Sequence, residues 1–408
     1  MSRITAASPL NEDEDQGDAA ERATLDAAAL WGLPDFVYRP SLRKLGSGTR
    51  ELGDAVVIVG DQALVVQVKS RVGTPSSADR ERNWLTKKAA EAHRQAKGTI
   101  RQLCLGSADF ENARGRTFTI DGNELSWLSV VVLDHPDVPE GVEPDVPADT
   151  VVLLRRDWEF LFEHLKSTHL VAQYLRRVRG RSIELGTEPV RYFEKATADA
   201  RADPDPFPSH LLGPDGRPVS APQLPLLAAG EDAEAAERAG HLLFRQVMED
   251  AATGQFDASR EAERLHILAS LDRLPVAHRG GFGQLMIEAL RLVLTADPGE
   301  TLWRFRRMQG EDGRLHLGFG ACSGSSQMHR DIFSTWVQLR HHQYQQLVGL
   351  EDLTTVGVLL THRTDGQRPW DTTITAVRGD LKLTAEEIAQ YEELWDGDSR
   401  LDPDSRTA

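Results

Sequence analysis

The stretch that most constrains the fold is DAVVIVGDQALVVQVKS, residues 54–70. Two Val-rich runs flank Gly60-Asp61, a pair suited to a two-residue hairpin loop. Apolar residues fill nearly every position instead of alternating, so both faces of the two strands must be covered. That requirement points to a layered α/β domain. A two-residue loop sets Val59 opposite Gln62, and the same register sets Asp54 opposite Gln67. Lys69 lies two residues beyond Gln67 and therefore shares its face. A four-residue loop keeps that face, whereas a three-residue loop breaks the parity.

Around this hairpin the pattern predicts a helix from Ala20 to Trp31, stopped by Gly32 and Pro34. A long helix follows over Asp79–Leu105, with Leu85, Ala89, Ala92, Ala96 and Leu103 on one stripe. Strands are expected at 116–120, 128–133 and 150–154, then helices at 156–166 and 168–179. Seven prolines between residues 202 and 230 mark a linker or long irregular connection. Beyond it come helices near 233–252, 260–271 and 283–294, and strands at 301–308 and 314–320. A helix at 327–347, strands at 354–361 and 372–377, and a last helix at 384–395 complete the pattern. The organisation reads as an acidic disordered arm (1–18), an α/β domain with a helical extension (19–200), a Pro-rich linker (201–230), an α+β domain (231–396) and an acidic disordered tail (397–408). At 408 residues the chain is long enough for two such domains.

The net charge of −16 first argues against a nucleic-acid partner, but its distribution weakens that argument. Residues 12–21 hold six acids and no base, and residues 386–404 hold eight acids against one arginine, so the rest of the chain is close to −3. A near-neutral body still has room for a basic face. No apolar run reaches the roughly 20 residues of a membrane helix, and no secretory leader stands at the N-terminus. Cys104 and Cys322 are too few for a disulfide framework or a four-cysteine zinc site. A cytoplasmic protein is the expectation.

The hairpin gathers a carboxylate (Asp54), an amide oxygen (Gln67) and an ammonium (Lys69) on one face, with Glu51 three residues upstream. Burying such groups without compensation is costly. Hard oxygen ligands suit Mg²⁺ or Mn²⁺. A lysine beside such a metal orients an attacking water and stabilises charge on a phosphoryl transition state. Glu51-Leu-Gly-Asp54, the turn, and Gln67-Val68-Lys69 resemble the core of the PD-(D/E)xK nuclease superfamily. A helix before the hairpin and a helix after it fit the family order, and the resemblance spans about residues 20–135. It implies a restriction-endonuclease-like fold of mixed sheet flanked by helices, and a metal-dependent phosphodiesterase acting on nucleic acid, DNA more than RNA. It further implies that Asp54 and Gln67 ligate the metal, with Glu51 and the Val68 carbonyl as further ligands, and that Lys69 is the catalytic lysine. Gln67 departs from the usual carboxylate at its position, and Glu21 matches only loosely the extra acid some members carry on the first helix.

Two plainer readings stand beside this one. The hairpin ends carry polar residues where they reach water, or the fold is nuclease-like and serves binding or regulation without cleavage. On the long helix, Arg80, Lys87, Arg94 and Arg101 recur every seven residues as a ridge opposite the apolar stripe, suited to phosphate contact or to plain solvation. Residues 155–181 are also basic, with Arg176, Arg177, Arg179 and Arg181 clustered. In the second half, Gly318-Phe-Gly320-Ala-Cys322-Ser323-Gly324 resembles a phosphate-cradling loop but lacks the P-loop lysine. Ser323 and Ser325 are expected to cap the next helix, and Cys322, His341, His342 and His362 to be packed or surface residues.

Overall fold

A computed structural model describes residues 6–40, 43–45, 48–50, 55–73, 77–145, 147–201, 234–254, 260–297, 299–309, 314–363 and 368–396. The chain divides into two compact units, one within Met1–Arg201 and the other within Ala229–Ala408.

The first unit runs α1 (Gln16–Trp31), β1 (Val37–Pro40), β2 (Arg43–Leu45), β3 (Gly48–Arg50), β4 (Ala55–Val59), β5 (Gln62–Ser70), α2 (Ala78–Leu103), β6 (Ser107–Asn112), β7 (Thr117–Asp121), β8 (Ser126–Asp134), β9 (Thr150–Leu154), α3 (Arg155–Leu165), α4 (Thr168–Val178) and α5 (Glu188–Arg201). Strands β2 and β3 form a separate ribbon, and seven others form one sheet in the order β7-β6-β1-β4-β5-β8-β9. Pairing is antiparallel from β7 to β5 and parallel across β5, β8 and β9. The expected mixed sheet with flanking helices is therefore present. Alternate side chains on the sheet face α2, whose Leu85, Ala89, Ala92 and Ala96 seat on Val56, Ala63 and Val65 at one end and on Val131, Leu133 and Val152 at the other. Three alanines on that stripe let α2 lie close to the strands. The opposite face is covered by α1, α3 and α4. Trp158 of α3 ties that layer together by donating its indole N–H to the Thr24 carbonyl of α1 at 2.9 Å. Gly32 ends α1 as expected, since a Cβ there would sit 2.4 Å from the Thr168 hydroxyl and 2.5 Å from the Ala28 carbonyl.

Five elements were not anticipated: β1, β2, β3, β6 and α5. The arm expected to be disordered over 1–18 is instead helical from Gln16. Within it, Ser8 donates its N–H and its hydroxyl to Glu159 at 2.7 and 2.8 Å. The expected linker (from 202) and tail (from 397), together with Glu51 and Asp54, lie outside the described residues.

The second unit runs α6 (Ala235–Thr253), α7 (Glu261–Asp272), α8 (Val276–Val293), β10 (Trp303–Gln309), β11 (Leu315–Cys322), α9 (Gln327–Val348), β12 (Thr354–His362), β13 (Trp370–Arg378) and α10 (Ala385–Asp396). Its sheet is ordered β10-β11-β12-β13, with only β11 and β12 parallel. Helix α8 covers one face, where Phe282 meets Phe319 edge-on at 6.1 Å. Helix α9 covers the other, over a floor of glycines. A Cβ on Gly318 would lie 2.6 Å from the Trp336 ring, and one on Gly357 would lie 2.3 Å from Val337. Gly318 and Gly357 are register partners, so the floor crosses two strands. Among the described residues no helix is long and apolar enough to cross a membrane.

Candidate functional site

The β4–β5 register has Val59 opposite Gln62 and Ala55 opposite Val66, as a two-residue loop requires. Gly60 has φ +61°, and Asp61 is absent from the positive-φ residues, which is the type II′ pattern. The parity is thereby fixed for β5. Gln67 and Lys69 share the face of Ala63 and Val65, toward α2, and the Val68 side chain turns to the other face. Only the main chain of Val68 is left to serve a site on the α2 side.

Gln67 is 2 % exposed, and its Nε2 is buried with no hydrogen-bond partner among the described residues. An unmet buried donor costs about 1–3 kcal/mol, so a purely structural glutamine would be a poor choice here. Lys69, half-buried at the end of β5, makes no ion pair among the described residues. Its charge is felt by Glu91, one of the α2 side chains over that end of the strand. Glu91 accepts from Lys88 Nζ at 2.8 Å. That hydrogen bond first, and then the charges of Lys88, Lys69 and Lys87, hold its carboxyl below the ordinary range. One turn along α2, Gln95 carries a buried Oε1 without a partner. Glu91 was not singled out from the sequence, because on a basic helix it reads as an ordinary solvated acid. Only the approach of β5 distinguishes it.

Immediately past Lys69 the parallel strands end in a network of buried charge. Ser70 donates to Asp134 at 2.8 Å, and Arg155 donates to the other Asp134 oxygen at 2.7 Å. Glu81, 2 % exposed near the start of α2, accepts from both nitrogens of the Arg71 fork at 2.9 and 3.2 Å. His135 Nδ1 accepts the Asp137 N–H at 3.2 Å, which leaves its Nε2–H to donate to Glu81 at 2.9 Å. A cavity of about 280 Å³ opens here between Asp134, His135, Arg155 and Arg156, with Ala6 and Ala7 along its rim. It lies at the carboxyl ends of β8 and β9, the usual position for ligand crevices in parallel sheets.

The ridge residues Arg80, Lys87, Arg94 and Arg101 are all exposed on α2, opposite its buried stripe. The second basic cluster is partly structural. Arg176 donates to Gln62 at 3.2 Å and to Ser126 at 2.9 Å, which fastens α4 to the hairpin turn. Arg177 pairs with Asp199. The glycine-rich segment of the second unit is not a phosphate loop. Gly318 and Gly320 lie inside β11 and make room for α9. Ser326, not Ser323 or Ser325, caps α9, in a reciprocal box with His329. Ser323 instead accepts the Leu302 N–H at 2.9 Å. Burial pushes the Cys322 thiol up to about 11, so it packs without reacting. His341 bridges Thr355 and the Gly379 carbonyl at 2.8 and 2.6 Å.

No group of three or more His, Cys, Asp or Glu is placed to hold a metal among the described residues. The described half of the expected ligand set nevertheless fits a hard cation in kind. The Gln67 amide and the Val68 main chain each carry a carbonyl oxygen of the kind a hard cation takes, whereas the unmet Gln67 atom is the amide nitrogen, which only donates. The carboxylates that would complete it, Glu51 and Asp54, lie outside the described residues. Comparison with protein-family models, with curated proteins and with solved structures returned no match.

Proposed function

We propose that the first unit is a metal-dependent nuclease of the PD-(D/E)xK kind, with a restriction-endonuclease-like fold, that hydrolyses phosphodiester bonds in DNA. The observation that carries this reading is the hairpin register, which sets Gln67 and Lys69, a lysine without an ion pair among the described residues, on the same α2-facing side of β5. Asp54, which the sequence pattern sets opposite Gln67, lies outside the described residues. A Mg²⁺ or Mn²⁺ ion held through Asp54, Gln67, the Val68 carbonyl and Glu51 would supply Lewis acidity and a water of lowered pKa.

Lys69 then orients that water for in-line attack and stabilises the charge that builds on the phosphate. Glu91 pairs with Lys88 and offsets part of the positive charge that Lys88 and Lys87 bring near Lys69. The exposed ridge of Arg80, Lys87, Arg94 and Arg101 guides the phosphate backbone.

The test uses the full chain with supercoiled plasmid, linear duplex, single-stranded DNA and RNA, in Mg²⁺, Mn²⁺ or EDTA. Metal-dependent cleavage of DNA is expected. Absence of cleavage on every substrate by folded protein would turn the reading to a nuclease-like binding or regulatory protein.

A further inference from the structure

The second unit carries a basic cavity of its own. It lies where β11 and β12 begin and β13 ends, because the register pairs Thr354 with Leu315 on one side and with Arg378 on the other. Its volume is about 90 Å³, and its polar lining is His266, Ser270, Arg273, Arg314, Thr354 and Arg378, with Asp352 at the edge. Three arginines therefore line the cavity, its one lining carboxylate among the described residues is already bonded to Arg314, and Glu263 lies close enough to act on His266. Arg378 has no ion pair among the described residues.

Ser270 is 6 % exposed and adds a hydroxyl to the lining. His266 Nε2 lies 3.0 Å from the Thr354 hydroxyl. Burial, with Arg378 and Arg273 nearby, holds the imidazole below its ordinary pKa, so it lines the cavity uncharged at neutral pH. Like charges brought together this closely repel, and the fold gains by holding an anion between them.

Size narrows the choice of anion. The cavity matches about three water volumes. That is the scale of a tetrahedral oxyanion and far below the roughly 300 Å³ or more usual for drug-sized ligands. Arginine forks and hydroxyl donors are the groups that recognise phosphate oxygens. We propose that this cavity binds a phosphate group, as inorganic phosphate or as the terminal phosphate of a nucleic acid. The assignment is independent of the nuclease reading of the first unit.

The test is calorimetric titration of the full chain with inorganic phosphate, against chloride and acetate at matched ionic strength. A parallel arm measures anisotropy of 5′-phosphorylated and 5′-hydroxyl oligonucleotides in EDTA. Saturable phosphate binding is expected, weakened about tenfold or more in Arg378→Gln and several-fold in Ser270→Ala. Both variants are checked for an unchanged melting temperature, since Arg378 is exposed and Ser270→Ala removes one atom. Tighter binding of the phosphorylated oligonucleotide assigns a nucleic-acid end, and equal binding of the two assigns free phosphate. Phosphate heats no larger than those of chloride or acetate, or full binding in Arg378→Gln, would overturn the proposal.

Discussion

Replacing Gln67 by leucine should make the hairpin more stable and the protein inactive. Gln67 is 2 % exposed, its Nε2 has no partner among the described residues, and its strand neighbour is the buried Val131. Leucine has nearly the same volume and no polar atom to satisfy. The substitution removes a penalty of about 1–3 kcal/mol for an unmet buried donor. Hydrogen–deuterium exchange over residues 62–70 reads this locally, without requiring both units to unfold together. Where exchange follows opening, 1–3 kcal/mol corresponds to roughly 5- to 150-fold slower exchange of the β5 amides. Metal-dependent cleavage should vanish in the same protein. Faster exchange in Gln67→Leu would mean that the amide is a structural partner, and cleavage at the wild-type rate would mean that it ligates nothing. Either result refutes the reasoning.

Other outcomes follow from the same geometry. Burial first, and then the charge of Glu188, raise the Asp157 carboxyl to about 7. The folded state thus holds that proton more tightly than the unfolded chain does. The associated stability is complete below about pH 4 and is lost as pH rises through about 7. Urea unfolding should therefore find Asp157→Asn more stable than wild type at pH 8 and little different at pH 4; parallel pH profiles would contradict this. Gly357→Ala places a Cβ 2.3 Å from Val337 and should cost about 1–3 kcal/mol in equilibrium unfolding. Gly98→Ala, in open space on α2, should instead stabilise by about 0.5–1 kcal/mol. Neutralising Arg80, Lys87, Arg94 and Arg101 with glutamine should weaken duplex binding in EDTA and flatten its salt dependence by about 0.9 in log–log slope for each phosphate no longer neutralised. An unchanged slope would return that ridge to plain solvation.

Much of this architecture could be read from residue order, and the exceptions have physical causes. The β4–β5 hairpin was legible because Gly60 tolerates the positive φ its turn requires and two Val-rich runs flank it, although the loop length that sets the register was not fixed by residue order. Helix α2 was legible from its alanine stripe. The start of α8 was not, because Gly280, Gly281 and Gly283 count against a helix. Two of them are there for packing: a Cβ on Gly280 would lie 2.7 Å from Glu237 and one on Gly283 would lie 1.9 Å from the Gly240 carbonyl of α6, while Gly281 faces open space. Strand β6 escaped notice because SADFEN is mostly polar and exposes alternate residues near the sheet edge. Helix α5 escaped notice because its core contacts, Tyr192 and the Glu188–Arg191 pair, depend on Tyr174 of α4. At the candidate site, Gln67 and Lys69 were legible from parity alone. Glu91, Glu81 and His135 were not, since each gains its meaning from a strand or helix distant in sequence.

The most direct test of the central claim is single-turnover cleavage of DNA in Mg²⁺ by wild type and Lys69→Ala, alongside duplex affinity in EDTA. A lysine that orients the attacking water predicts a rate fall of about 10²- to 10⁴-fold with affinity nearly unchanged. Equal rates for the two proteins would place the chemistry elsewhere and contradict the assignment of Lys69.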